Sequence, residues 1–411
     1  MRTIYLDNAS TTKTARQVLK KISNILEKDF GNPSSIHTLG RNAKKELEDA
    51  RVAIAKELHA FPEEIIFTSG GTESNNLAIK GLAQANKEKK HLIISAIEHP
   101  SVLEIARDMQ KLGYKVDFVP VNAEGIVDVD FIRSRISEET LIVSVMHVNN
   151  EIGTIQPIEE IARICKAKKV FFHTDAVQSF GKLKIDVRNI SLLSASGHKI
   201  NGPKGIGFLY VKKGISLVPL MQGGGQEKNL RPGTENVSGA VGMAQALSLK
   251  RPQAEIQAVR DLLIKEILKI PYSQLNGSRK KRIYNNLNIS FYGIEGESLL
   301  LMLDKFGILV STGSACSSHK LEESHVLKAI NTHPLCIHGS IRISLDTLKP
   351  LSRSDVKFIS SIIEKSVLKL RAMSPFKMPG DEKSFAFQKR EHEKEKTKIF
   401  RKKFKFSRGY S

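Results

Sequence analysis

One stretch, Ser194-Ala195-Ser196-Gly197-His198-Lys199-Ile200-Asn201-Gly202-Pro203-Lys204-Gly205, sets a histidine and a lysine among small residues. It lies between the apolar runs 190–193 and 206–211. An amine held between two buried strands is partly desolvated, which lowers its pKa and frees it for Schiff-base chemistry. Lys199 is therefore a candidate covalent anchor, against the ordinary alternative of a solvated loop lysine. Other residues argue for the anchor. Asp175 follows directly on the buried-looking run 170–173, with Gln178 three residues later. Gly70-Gly71-Thr72-Glu73 is a turn whose backbone N–H groups can approach an anion, with Thr72, Ser196 and His198 as further donors. His99, in Ile97-Glu98-His99-Pro100, can stack on a ring and move protons.

A lysine anchor, an acid for a ring nitrogen, a phosphate cradle and a stacking imidazole are the parts of a pyridoxal phosphate site. A second focus is 310–320, where Cys316 sits among Ser, Thr, Gly and Ala, the composition of an exposed loop. With His319 and Lys320 nearby to favour its thiolate, Cys316 is the candidate nucleophile. Cys165 has apolar neighbours and reads as a core residue, while Cys336 stays open. A competing reading makes Cys316, His319, Cys336 and His338 a zinc set, but these spacings fit no strong zinc pattern and no second function needs the metal, so no metal ligand is expected. Arg342, on an alternating strand, either snorkels to the surface or clamps a carboxylate.

The elements that must position these groups follow from periodicity. Short apolar runs at 65–67, 92–95, 116–121, 141–148, 170–173, 192–195 and 206–211 alternate with helix-length segments such as 73–86, 102–112 and 158–168. That alternation predicts an α/β fold, a mostly parallel seven-stranded sheet covered by helices, with ligands at strand ends. A long helical pattern over 236–270 leads to a smaller α+β domain with strands at 287–291 and 340–345 and a last helix at 354–370. The expected domains are 14–254, then 1–13 with 255–375, and a basic tail at 376–411. The chain of 411 residues carries a net charge of +21 and three cysteines, too few for a disulfide framework. With no apolar run near the roughly 20 residues of a membrane span and no signal-peptide core, a cytoplasmic enzyme is expected. The tail, with 12 Lys and Arg against 5 Asp and Glu, reads as disordered, with weak nucleic-acid contact as its alternative use.

Taken in order, 5–9, 31–35, 67–75, 147–153, the lysine stretch and the cysteine loop strongly resemble the pyridoxal-phosphate-dependent cysteine desulfurases of the NifS and IscS kind. The resemblance runs to about Pro375. It implies a fold-type I homodimer that converts L-cysteine to L-alanine and leaves the sulfur as a persulfide on Cys316. The sulfur would go to an iron-sulfur scaffold protein or a tRNA-thiolation acceptor. It further implies that Lys199 is the anchor, His99 the stacking residue, and Asp175 and Gln178 the ring partners. Gly71, Thr72, Ser196 and His198 would hold phosphate, with Thr234 reaching the partner subunit's phosphate. Asn150, Arg342 and Asn32 would bind the substrate carboxylate. Pro232 and Asp346 depart from the pattern. Asp346 is expected near the Arg342 clamp, weakening substrate affinity. A selenocysteine lyase or another β-elimination lyase that does not need Cys316, and a basic scaffold that binds RNA or partners, are the competing functions.

Overall fold

The computed structural model describes residues 3–312 and 323–376, so Cys316, His319, Lys320 and the tail beyond Phe376 lie outside it. After a short first strand, β1 (Ile4–Tyr5), seven strands follow at the positions the apolar runs predict. They are β2 (Ile65–Thr68), β3 (His91–Ser95), β4 (Lys115–Val119), β5 (Thr140–Ser144), β6 (Phe171–Asp175), β7 (Leu192–Ser196) and β8 (Gly207–Val211). They form one sheet in the order β2-β8-β7-β6-β5-β3-β4. Only β8 runs antiparallel to its neighbours, so β2 points the same way as the remaining five. Strands β2, β3, β5, β7 and β8 are buried along their whole length, as a sheet covered on both faces requires. β4 carries Lys115 and Asp117 at the open edge, where charge discourages further pairing.

One face packs Ile93, Val143 and Phe172 against the helices Arg16–Lys28, Thr38–Glu57 and Val237–Leu247, and the other packs Leu92, Ile94 and Ile142 against Pro100–Lys111. A separate core gathers Ile4 and Leu6 with β10 (Asn286–Phe291), β12 (Ser340–Ser344) and the long helix Arg353–Met373. There β12-β10-β9 form an antiparallel sheet, with β9 at Ser273–Leu275, and β1 pairs with β11 (Ile308–Leu309). No described helix is long and apolar enough to cross a membrane.

The single long helix expected over 236–270 is two helices, Val237–Leu247 and Gln253–Ile267. Pro252 cannot supply an N–H and starts the second helix. Arg251 satisfies the carbonyls the break exposes, donating to Ala246 O and Leu249 O at 2.9 Å each. The helix expected from Glu73 begins at Gly71 and widens into a π turn over Leu77–Gly81.

Candidate active site

Because β2, β3, β5, β6 and β7 point the same way, their carboxyl ends share one edge of the sheet. From that edge come Gly71 and Thr72 after β2, His99 after β3, Met146 and Asn150 after β5, Asp175 at the end of β6, and Ser196, His198 and Lys199 after β7. With Arg342 from β12, these side chains line a single cavity of about 220 Å³. Ligand sites of parallel sheets lie at this end. An adjoining opening takes in Ser69, Gly70, Gly71, Thr72, Ser196, His198 and Lys204.

Lys199 Nζ reaches back to the N-terminal segment, donating to Ala9 O and Ser10 O at 2.7 Å each. Gln178 Nε2 donates to the same Ala9 O at 2.8 Å. Asp175 is buried and held on both oxygens. Oδ1 accepts from Val177 N at 2.9 Å and Oδ2 from Asn75 Nδ2 at 2.8 Å. Asn75 also donates to Ser101 Oγ, which lies 2.8 Å from His99 Nδ1. Since Nδ1 accepts from Ser101 N, the neutral ring carries its proton on Nε2. Burial lowers the His99 pKa, with Asp175 opposing and Lys199 reinforcing. His198 is pushed down to about 4, by burial first and then by Lys199, Lys204 and Lys182. At neutral pH it is an uncharged donor.

Arg342 is 4% exposed. Its Nη1 donates to Asn150 O at 3.1 Å, and its Nη2 to Asp7 Oδ1 at 2.8 Å and Ser10 Oγ at 2.6 Å. The carboxylate beside the clamp is thus Asp7 and not Asp346. Asp346 instead acts on Arg251 and Tyr284, because it lies past the end of β12 and accepts from Leu348 N. Asn32 and Thr234 do not line the cavity. Both are exposed, and Asn32 Oδ1 accepts from Ser34 N within its own turn. Pro232 packs against Gly223, where a Cβ would come within 2.6 Å of it. Of the proposed zinc set, Cys336 is fully buried and His338 Nε2 lies 3.0 Å from Glu323. Cys165 is fully buried, its thiol pushed up to about 12 by burial. Asn75, Ser101, Ala9 and Ser10 were not evident from sequence, since two act through backbone carbonyls and the others through a relay.

These residues fit pyridoxal phosphate. A Cβ on Gly207 would meet Ala195 O at 2.5 Å and Gly70 Cα at 2.7 Å, and one on Gly71 would meet Val177 Cγ2 at 2.5 Å. Glycine at these positions therefore lets the turn of the cradle close over β8 and Val177. The donors around it suit a phosphate, and an amine and a fixed carboxylate face the adjoining space.

The fold and site define a class. Residues 4–352 match the model of the aminotransferase class-V family, and the chain belongs to it. Its relatives narrow the class. It is 47% identical over 385 residues to the cysteine desulfurase IscS of Dictyoglomus turgidum, covering 92% of this chain and 97% of that protein. It is 46% identical over 382 residues to the cysteine desulfurase IscS of Methanosarcina thermophila, covering 91% and 94%. A solved NifS-like protein superposes with a TM-score of 0.84 at 35% identity over 90% of this chain and 100% of that one. SspA in complex with cysteine superposes at 0.77 and 38% identity, over 85% of this chain and all of the other. The protein is a pyridoxal-phosphate-dependent cysteine desulfurase with a fold-type I architecture.

Proposed function

We propose the following division of roles, carried by the convergence of Lys199, Asp175, His99 and Arg342 on one cavity. When bound, pyridoxal phosphate supplies the electron sink that lets a bond to the amino acid's Cα break. Lys199 would hold it covalently, with Gly71, Thr72, Ser196 and His198 around its phosphate and Gln178 beside its ring oxygen. Asp175, fixed by Val177 N and Asn75, holds a proton at the ring nitrogen by its charge. His99 would stack on the ring, and it keeps its own proton on Nε2. Arg342, with Asn150, binds the carboxylate of L-cysteine, and the Lys199 amine carries the proton at Cα. The Cys316 thiolate takes the substrate sulfur. One C–S bond breaks and one S–S bond forms, and L-cysteine with Cys316–SH becomes L-alanine with Cys316–S–SH.

We infer that two copies pair, with Thr234 and Asn32 serving the partner's cavity. Ile36 is 90% exposed and Phe30 67%, both flanking Asn32, and apolar residues so exposed suit a covered surface. The persulfide sulfur would pass to an iron-sulfur scaffold or a tRNA-thiolation acceptor, and the basic tail would make weak nucleic-acid contact at most. The division 14–254, 1–13 with 255–375, and 376–411 is supported by the two separate cores. Adding pyridoxal phosphate to wild type and to Lys199→Ala tests the anchor. Visible absorption is expected in the first and lost in the second, and an unchanged spectrum contradicts the assignment.

A further inference from the structure

Glu151 follows Asn150 on the cavity rim and has no part in the chemistry above. Its side chain is 4% exposed. Its backbone N–H donates to Asn149 Oδ1 at 2.9 Å, and Asn149 is tied in turn to Ile97 O. The carboxylate Oε2 accepts a hydrogen bond from Ser324 Oγ at 2.5 Å. Burial pushes this carboxyl up to about 7, against the Ser324 hydrogen bond and the charge of Arg342. Ionising a carboxyl there costs stability, so the contact is better explained by what it positions.

What it positions is one root of the segment that carries Cys316. Ser324 Oγ also accepts from Leu327 N at 3.1 Å, starting the helix His325–Ala329. The next residue, His325, places Nε2 3.0 Å from Glu98 O, beside His99. At the other root, Ser311 exchanges both backbone hydrogen bonds with Arg342, at 3.2 and 2.7 Å. Both roots are therefore fixed to the corner formed by Asn150, Glu151 and Arg342.

We propose that Glu151 is a positioning residue for sulfur transfer: through Ser324 it fixes the downstream root of the Cys316 segment to the corner that binds the substrate carboxylate. The claim rests on the reading of Cys316 as sulfur acceptor. The test uses the full chain loaded with pyridoxal phosphate, as wild type, Glu151→Ala, Glu151→Gln, Ser324→Ala and the double alanine variant. Cofactor absorbance and half-saturation of the L-cysteine-induced spectral change should stay within about twofold of wild type, because neither residue contacts cofactor or substrate. The turnover number for alanine release, and persulfide on Cys316, should fall about tenfold in each alanine variant. The double variant should be no slower than the slower single, as two ends of one contact require. Glu151→Gln, which keeps an acceptor for Ser324, should restore most of the rate. Wild-type turnover in both single alanine variants, multiplicative losses in the double, or loss of cofactor absorbance in step with turnover would each overturn the proposal. Cys316→Ala is run alongside. Full alanine release there would remove the underlying reading and the proposal with it, whereas an inactive Cys316→Ala beside fully active Glu151→Ala and Ser324→Ala removes the proposal alone.

Discussion

Replacing Arg342 by lysine keeps the charge and removes the geometry, so it isolates what the fork contributes. The guanidinium has five N–H donors, and three are engaged by Asn150 O, Asp7 Oδ1 and Ser10 Oγ. Two remain, the Nε–H, which is buried without a partner, and one N–H on Nη1, the one left for a substrate carboxylate. A lysine ammonium has three donors in all, and the same three protein acceptors are enough to engage every one. Arg342→Lys should therefore bind the carboxylate through charge alone. Charge-assisted hydrogen bonds contribute about 1.5–3 kcal/mol each. The retained charge and local water offset part of what the free Nη1 donor contributes, leaving a net deficit of about 2 kcal/mol, or roughly thirtyfold in affinity. The assay is alanine release against L-cysteine concentration with cofactor saturating. KM should rise by that factor while the visible spectrum is unchanged. A KM within about threefold of wild type would refute the donor-counting argument.

Three other outcomes follow from the geometry. Asn75→Ala removes a donor from Asp175 and from Ser101, about 2–3 kcal/mol, partly offset because Asn75 Oδ1 is buried without a partner. The urea midpoint of the cofactor-free protein should drop, and an unchanged midpoint contradicts the relay. Gly207→Ala forces a Cβ against backbone atoms that cannot yield. Pyridoxal phosphate should be retained about tenfold more weakly, and equal retention would show that the cradle does not depend on this approach. Glu151 has a folded pKa raised to about 7 from 4.5, so the folded state binds more protons than the unfolded one between those values. Its contribution is present below pH 4.5 and is lost as pH rises through 7. Relative to wild type, Glu151→Gln should gain stability on the order of 2–3 kcal/mol between pH 5 and pH 8, read from urea midpoints. No pH-dependent difference would show that the carboxyl is not buried as described.

The sheet was legible in the sequence because buried parallel strands read as continuous apolar runs, and the chemistry-bearing residues come just after them. Asp175 and Lys199 are such cases, each found from the strand that ends beside it. Residues that act through another were hidden. Asn75 lies 100 residues from Asp175, and Ser324 lies 173 from Glu151; no local pattern marks such pairs. The carbonyls of Ala9 and Ser10 leave no side-chain signature at all. The Asp346 expectation failed for a related reason: nearness along a strand does not fix which way a residue beyond its end will face. The break at Pro252 was readable from the proline, and the expected continuous helix gave that residue too little weight.

The central claim is that sulfur leaves L-cysteine for Cys316. The most direct measurement is alanine release from L-cysteine by wild type and Cys316→Ala, both loaded with pyridoxal phosphate and reductant, with the persulfide located by mass spectrometry. Alanine and a persulfide on Cys316 are expected in wild type, with an intact cofactor spectrum but neither product in the variant. Equal alanine release from both proteins would contradict the account and point to elimination chemistry that bypasses the cysteine.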